Sequence, residues 1–293
     1  MSTLFKGSGV AIVTPFKDGS VDYTAFTRLI ELQIISGTDA IIVCGTTGEA
    51  ATLTPEERTE VIRFCVERVD GRVPVIAGSG SNNTAKAIEL SREAEALGVD
   101  GLLIVTPYYN KTSQAGLVAH YGAICEQVHL PILVYNVPSR TGLNVLPATM
   151  QKILGECENV VGIKEASGNI EQIVNLAALC PGLDIYSGND DHILPVLSVG
   201  GKGVISTIAN VVPSEVHKLC MAFFAGKLDI ARKLQFMLLP VWRAAFCETN
   251  PIPIKTMMHM MDLCGDELRL PLVPPQMENR ELMKKALKDF GLI

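Results

Sequence analysis

The stretch Pro131-Ile-Leu-Val-Tyr-Asn136 decides the fold when it is set beside Val160-Val-Gly-Ile-Lys164, which follows one helical segment later. Both runs are short and almost continuously apolar, with no alternation between apolar and polar positions. A continuous apolar run of this length is typical of a strand that is buried on both faces of a parallel sheet. The two runs therefore predict parallel strands that are joined by a helix.

Six more runs of this kind occur along the chain. The eight predicted strands cover residues 10–13, 40–43, 74–77, 101–105, 131–134, 160–163, 184–186 and 203–205. They start about 19 to 34 residues apart, which is close to one βα unit each. Eight such units predict an α/β fold of the (β/α)8 TIM-barrel type. An open doubly wound sheet usually has fewer strands and a glycine-rich first turn, which this chain lacks.

Helical patterns fill the gaps between the predicted strands. Thr54-Pro-Glu-Glu begins one helix, because it supplies an N-cap hydroxyl, a proline at the first position and early acidic residues. The other predicted helices cover residues 23–36, 83–97, 114–128, 147–157 and 169–179, and then residues 215–224, 228–246, 252–263 and 279–289. We therefore predict a catalytic barrel over residues 1–225 and an appended C-terminal helical segment over residues 226–293.

Composition excludes several classes of protein. The 293 residues are 48% apolar and carry a formal net charge of −6, with no basic run. We therefore expect neither nucleic acid nor an anionic membrane surface as a partner. No apolar stretch is long enough for a membrane span, and the first residues lack the apolar block of a signal peptide. None of the eight cysteines forms a CxxC pair, so we expect reduced thiols and a cytoplasmic location.

The predicted active site lies at the C-terminal ends of the strands, as in other barrel enzymes. These ends are rich in hydroxyl side chains and poor in the acidic and histidine clusters that a divalent metal needs. A metal-dependent aldolase is therefore not expected.

Lys164 is the most informative of these residues, because it ends a doubly buried strand. A buried ammonium group is costly, whereas a neutral lysine amine can form an imine with a carbonyl substrate. The alternative is a structural ion pair with Glu165 or another carboxylate. Successive strand residues point to opposite sides, so Glu165 should face away from Lys164.

Three further segments support this chemistry. Tyr135 ends the preceding strand and could shuttle protons, although a lone tyrosine can also be a core residue. Thr46 and Thr47 follow Gly45 in a turn that can bind a small carboxylate, but that does not match a phosphate loop. Arg140 could hold a second carboxylate through two hydrogen bonds, or it could be a solvated loop residue.

The chain resembles the dihydrodipicolinate synthase family of pyruvate-dependent class I aldolases. Seven segments carry the resemblance: Gly7-Ser-Gly-Val-Ala-Ile-Val-Thr-Pro-Phe16, Cys44-Gly-Thr-Thr-Gly-Glu49, Val105-Thr-Pro-Tyr-Tyr-Asn110, Tyr135-Asn-Val-Pro-Ser-Arg-Thr-Gly142, Gly162-Ile-Lys-Glu-Ala-Ser167, Gly203-Val-Ile-Ser206 and Glu248-Thr-Asn-Pro-Ile-Pro-Ile-Lys255. They occur in order over nearly the whole chain. The resemblance implies that pyruvate condenses with L-aspartate 4-semialdehyde, in the branch that leads to diaminopimelate and lysine, without a cofactor or metal.

The resemblance also implies a role for each matching residue. Lys164 would form the imine, and Tyr135 would donate and accept protons through a relay with Thr46 and Tyr109. The family's counterpart of Tyr109 reaches a neighbouring subunit, which implies a homo-oligomer, typically a tetramer built as a dimer of dimers. The residues that would bind the substrates are Thr47 and the Ile205 backbone for pyruvate, Arg140 for the semialdehyde, and Gly188 at the end of the seventh strand.

Two other functions are possible on the same barrel. N-acetylneuraminate lyase and the sugar-acid aldolases share the lysine and tyrosine, but their polyhydroxylated substrates have no short carboxylate to match Arg140. A non-catalytic binding protein on the same barrel is the second alternative, and it is disfavoured because every catalytic position is filled.

The resemblance further predicts that L-lysine does not inhibit this enzyme. In lysine-sensitive members, lysine binds at a subunit interface away from the barrel mouth. Of the matching positions, Asn82 and Tyr108 fit that site, whereas those that depart from it are Ala50, Pro55, Arg58 and Lys86. The two cations reverse the field that a cationic ligand needs.

Overall fold

The computed structural model describes residues 3–293, and its centre is a closed barrel of eight parallel strands. The strands are β1 (Gly7–Ala11), β2 (Ala40–Val43), β3 (Val75–Gly78), β4 (Gly101–Val105), β5 (Ile132–Asn136), β6 (Val160–Glu165), β7 (Asp184–Ser187) and β8 (Gly203–Ser206). Each strand pairs with the next along the chain, and β8 pairs with β1 to close the barrel. The predicted TIM barrel is confirmed.

Helices surround the barrel and continue beyond it. The twelve α-helices of the described residues are α1 (Tyr23–Ile35), α2 (Pro55–Val69), α3 (Thr84–Ala96), α4 (Gln114–Cys125), α5 (Pro138–Thr141), α6 (Pro147–Glu156), α7 (Ile170–Leu179), α8 (Ile193–Ser198), α9 (Pro213–Phe224), α10 (Leu228–Ala245), α11 (Ile252–Met260) and α12 (Met277–Phe290). The last three form the C-terminal segment, in which α10 packs against both α9 and α12. The predicted boundary at residue 225 falls in the turn between α9 and α10.

Two apolar layers hold the fold together. The larger layer lies between the strands and the surrounding helices, where the β-branched strand residues meet the apolar stripes of the helices. The smaller layer fills the barrel interior and includes Ile42, Leu133, Tyr135, Tyr186 and Ile205. Because both faces of the barrel strands are covered, most of their residues are apolar, which is why continuous rather than alternating runs marked them.

The boundaries differ from the predicted ones where the local pattern is ambiguous. β1 begins at Gly7, three residues before the predicted start, because its first residues are glycine and serine rather than large apolar residues. The antiparallel ribbon of Phe16–Lys17 with Ser20–Val21 and the short helices α5 and α8 were not predicted. The start of α2 agrees with the prediction, since Thr54 and Glu57 form a reciprocal capping box there.

Candidate active site

A cavity of about 670 Å³ opens at the C-terminal end of the barrel. Its walls come from the loops after the strands and from the segment before α11, and they include six residues of the predicted site. These are Thr46, Thr47, Tyr135, Arg140, Lys164 and Gly188. The sequence prediction therefore placed residues from the ends of four different strands around one space.

Lys164 and Tyr135 are direct neighbours in the barrel wall. They are register partners on β6 and β5, so their side chains point in the same direction. Lys164 is 6% exposed, and its Nζ lies 4.3 Å from the centroid of the Tyr135 ring. The pKa of Lys164 is lowered to about 8: burial is the main cause, the Asp190 carboxylate opposes it, and the Arg140 charge adds to it. A substantial share of this amine is therefore neutral near physiological pH.

Glu165 faces away from Lys164, as strand alternation requires. Its carboxylate accepts hydrogen bonds from Asn136 Nδ2 at 2.9 Å, from Gln172 Nε2 at 3.2 Å and from the Ser167 N–H at 2.7 Å. None of the ion pairs within residues 3–293 includes Lys164. The alternative in which Lys164 forms a structural ion pair with Glu165 is therefore wrong.

Tyr135 is buried beside the lysine, and its environment pulls its pKa in two directions. Burial raises the pKa of the phenol, because the phenolate is poorly solvated there. The Arg140 charge and a hydrogen bond with the Thr46 side chain lower it. Burial is the larger effect, so the pKa of Tyr135 is raised overall.

The C-terminal segment is hydrogen-bonded to the Thr46–Thr47 turn. Asn250 donates from Nδ2 to Thr47 Oγ1 at 2.8 Å, and its carbonyl oxygen accepts from Arg140 Nη2 at 3.0 Å. At the end of the same turn, Glu49 forms a fully buried ion pair with Lys255, with Oε1 and Nζ 2.5 Å apart. The Arg140 side chain is exposed at the mouth of the cavity. Because it donates a hydrogen bond to the Asn250 carbonyl, it is not a free loop arginine.

The three remaining residues of the predicted site lie in three different places. Gly188 lies beside β6, where its N–H donates to the Glu165 carbonyl at 2.7 Å, and a Cβ there would come within 2.6 Å of Ala166 Cβ. Ile205 is buried in the barrel interior. Tyr109 is 90% exposed and does not line the cavity of its own chain. The relay with Tyr109 is therefore not assembled within one chain.

Two residues at or beside the cavity wall have no role predicted from the sequence. Asn250 lines the cavity and belongs to a quoted segment without an assigned function, and Asp190 follows the lining residue Asn189. Asp190 is buried, and its Oδ2 accepts from the Thr207 and Ile208 N–H groups at 3.1 and 3.2 Å. Burial raises the pKa of Asp190 to about 6, against the lowering effect of Ser206, these N–H groups and Lys164.

Within the described part of the chain there is no group of three or more His, Cys, Asp or Glu side chains placed to bind a metal ion. Nor is any helix of residues 3–293 both long enough and apolar enough to cross a membrane.

Comparison with known proteins gives the family. Residues 4–290 match the dihydrodipicolinate synthetase family. The chain belongs to this family. The resemblance drawn from seven segments is thereby confirmed.

Members of the family resemble the chain over its whole length. It is 57% identical to a 4-hydroxy-tetrahydrodipicolinate synthase of Caldicellulosiruptor bescii, over 99% of this chain and 98% of that one. It is 54% identical to one of Clostridium tetani, over 99% of both chains. The dihydrodipicolinate synthase of Thermotoga maritima has the same structure, with a TM-score of 0.98 and 45% identity over 99% of this chain and 100% of that one.

Proposed function

We propose that this chain condenses pyruvate with L-aspartate 4-semialdehyde and releases 4-hydroxy-tetrahydrodipicolinate. The observation that carries the proposal is the buried amine of Lys164 beside Tyr135 in the cavity wall, which is part of no ion pair among residues 3–293. The synthases among its relatives favour this reaction over that of N-acetylneuraminate lyase.

The first step is imine formation on Lys164. The neutral amine adds to the keto carbon of pyruvate, and the resulting carbinolamine loses water to give a protonated imine. Tyr135 is the group that supplies the proton for the departing hydroxide. The lowered pKa of Lys164 supports this step, because only the neutral amine is a nucleophile.

The second step forms the carbon–carbon bond. The methyl carbon of the bound pyruvate loses a proton, and the resulting enamine attacks the aldehyde carbon of the semialdehyde, whose oxygen takes up a proton. The amino group of the product then attacks the imine carbon, closes the ring and displaces Lys164. One pyruvate and one semialdehyde thus give the cyclic product and one water, and the lysine amine is regenerated.

Hydroxyl groups form the proton route in this proposal. Thr46 links Tyr135 to the hydroxyl of Tyr109, which comes from a neighbouring subunit. Two features support a shared site: Tyr109 is almost fully exposed, and its φ of 67° is uncommon for a residue other than glycine. We propose a homo-oligomer on this basis, a tetramer built as a dimer of dimers.

The carboxylates of the two substrates bind at different walls of the cavity. Thr47 and the Ile205 backbone hold the pyruvate carboxylate, with Gly188 beside them, and Arg140 holds the semialdehyde carboxylate. Because Thr47 Oγ1 already accepts a hydrogen bond from Asn250, its hydroxyl proton is free to be donated to pyruvate. A cytoplasmic location fits the eight cysteines, all of which are free thiols.

Borohydride trapping tests the proposal directly. Pyruvate and borohydride should together add irreversibly to one lysine, and peptide mass mapping should find the adduct on the peptide that contains Lys164. A coupled assay with aspartate semialdehyde, run beside one with N-acetylneuraminate, separates the synthase from the lyase. Turnover of N-acetylneuraminate alone would refute the proposed substrate, and the absence of any adduct would refute the proposed chemistry.

A further inference from the structure

Asp190 is a buried carboxylate without a part in the proposed reaction. It is 1% exposed and begins the short helical turn Asp190–His192 that follows β7. Its Oδ2 accepts from the Thr207 and Ile208 N–H groups, whereas its Oδ1 is buried without a hydrogen-bond partner within residues 3–293. Since buried polar atoms are nearly always paired, the unpaired oxygen indicates that the carboxylate serves a group beyond its hydrogen bonds.

Asp190 lies beside the part of the cavity wall that carries Lys164. Lys164 on β6 is the register partner of Tyr186 on β7, which lies four residues before Asp190. The neighbours of the carboxylate, Asn189 and Thr207, line the same cavity as Lys164. The ion pairs of the described residues include neither Lys164 nor Asp190, so the two charges interact across a gap rather than in contact. Asp190 nevertheless raises the pKa of Lys164, and Lys164 lowers the pKa of Asp190.

Imine formation places a positive charge on the nitrogen of Lys164. The amine that reacts is neutral, but the imine that follows is protonated, and its charge lets it accept the electrons of the methyl C–H bond. A buried cation is costly unless an opposite charge lies near it. The pKa of Asp190 is about 6, so its carboxylate is ionised at pH 7 and above. Two backbone N–H groups fix that carboxylate, so its charge is available without rearrangement when the imine forms.

We propose that Asp190 supplies the counter-charge that keeps the imine on Lys164 protonated. Asp190 does not line the cavity and acts through the lysine nitrogen, so it is a positioning residue rather than a catalytic one. The inference rests on the proposed function and adds to it the group that stabilises the charged intermediate. The carbinolamine before the imine and the enamine after it are neutral at this nitrogen, so the carboxylate favours the imine selectively.

The other polar and titratable groups around the pair do not supply this charge. Those that face Lys164 or Asp190 from neighbouring elements are Tyr135, Arg140, Ser206 and Cys220. Burial raises the pKa of the phenol and of the thiol, so both are neutral at pH 7. The Arg140 charge lowers the pKa of Lys164 and therefore opposes the imine cation. Asp191 and His192 follow Asp190 in the chain, and their Oδ2 and Nε2 atoms lie 3.6 Å apart.

The test replaces the carboxylate by a neutral side chain of the same shape. Asp190→Asn keeps an oxygen for the two N–H groups and removes the charge, which should lower the pKa of Lys164 by about one pH unit. The initial rate of borohydride trapping with pyruvate should therefore rise roughly tenfold between pH 6 and 7, where the wild-type amine is mostly protonated. At pH 9 the amine is neutral in both proteins, so the rate should be unchanged.

The dissociation constant of pyruvate, measured from trapping at equilibrium, should show the opposite pattern. Between pH 6 and 7 the free ammonium and the protonated imine carry the same charge, so the loss of Asp190 affects both equally and the constant should not change. At pH 9 only the imine is charged, so the constant should rise roughly tenfold. A structural role would instead slow trapping and weaken binding at every pH. That result, or two profiles that match the wild type, would overturn the proposal.

A control variant and the wild type complete the design. Asp184 is 5% exposed at the opposite end of β7, so Asp184→Asn should leave both pH profiles unchanged. If Asp190→Asn does not fold, the wild type should take up a proton when pyruvate binds at pH 9, as measured with an indicator dye. Absence of proton uptake would overturn the proposal, because the imine would then be neutral. A wild type that traps no pyruvate would refute the proposed function itself, whereas normal trapping with unshifted Asp190→Asn profiles would refute only the role of Asp190.

Discussion

Lys164 and Lys255 are both buried lysines, and their surroundings differ in one respect. Lys255 is fully buried and paired with Glu49, its Nζ also donates to the Glu267 carbonyl at 2.9 Å, and it lies 4.1 Å from the centroid of the Phe16 ring. Lys164 has an aromatic ring at a similar distance, that of Tyr135, but no carboxylate in an ion pair with it. Burial lowers the pKa of both amines; Glu49 opposes this at Lys255 through its charge and a hydrogen bond, whereas Asp190 opposes it at Lys164 through its charge alone.

The difference shows why one buried lysine has a structural role and the other a chemical one. A paired ammonium is stable and unreactive, whereas an unpaired one can lose its proton and act as a nucleophile. Two carboxylates in this region bond to other groups: Glu165 accepts from side-chain amides and a backbone N–H, and Oδ2 of Asp190 accepts from two backbone N–H groups. Lys255, in contrast, joins the C-terminal segment to the turn that carries Thr46 and Thr47.

The largest effect is expected from removing the unpaired lysine. Lys164→Ala should abolish the borohydride adduct with pyruvate and reduce turnover by roughly 10⁴-fold or more, because no other group can form the imine. Mass spectrometry after trapping and a coupled assay measure the two effects. An adduct of normal yield on another lysine would contradict the assignment.

Lys164 has a tyrosine in register on each side, and only one of them should matter for catalysis. Tyr135→Phe should reduce turnover by roughly 10²- to 10⁴-fold while the imine still forms slowly, since proton transfer is what it loses. Tyr186 is the matched control on β7, because its hydroxyl donates to the Phe5 carbonyl at 2.6 Å within the barrel interior. Equal losses in Tyr135→Phe and Tyr186→Phe would show that Tyr135 acts through packing alone.

Removing the paired lysine should affect stability rather than chemistry. Lys255→Met leaves the Glu49 carboxylate buried without its ammonium partner, and the free energy of unfolding should fall by about 3–5 kcal/mol. Denaturant titration measures the loss, and the double variant Glu49→Gln with Lys255→Met should recover part of it. Pyruvate should still be trapped on Lys164 in the folded fraction. Loss of trapping without loss of stability would contradict the structural role of Lys255.

The sequence predicted one of these lysines and not the other, for a physical reason. Lys164 ends an apolar run, so its burial and direction follow from residues beside it in the chain. The partners of Lys255 and Asn250 are 206 and 203 residues away, and no local pattern encodes such a pairing. The barrel was predictable for the same reason as Lys164, because strands buried on both faces and amphipathic helices are local signals. The role of the C-terminal segment in the site was not.

The pH dependence of trapping should follow the unpaired lysine. Below a pH of about 8 the neutral fraction of Lys164 falls roughly tenfold per pH unit, so the rate of imine formation with pyruvate should rise with pH and level off above about 8. Initial trapping rates between pH 6 and 9 measure this. A rate that is independent of pH below 8 would mean that Lys164 is already neutral or that its amine is not the attacking group.

The smallest effect is the one expected from L-lysine, because the groups that would meet its ammonium are cationic. Arg58 is 6% exposed and is fixed by hydrogen bonds to the Gly78 carbonyl at 2.9 Å and to Glu93 at 3.2 Å. Lys86 forms an ion pair with Glu89 at 2.6 Å, and both cations are part of the wall of the 670 Å³ cavity. Initial rates should therefore be unchanged by millimolar L-lysine, at both saturating and limiting pyruvate. Half-inhibition below about 1 mM, a binding free energy of roughly 4 kcal/mol, would show that the site tolerates two cations.

A double variant tests the same explanation from the other direction. Arg58→His combined with Lys86→Glu removes both fixed cations and adds a carboxylate, so it should bind L-lysine more tightly than the wild type.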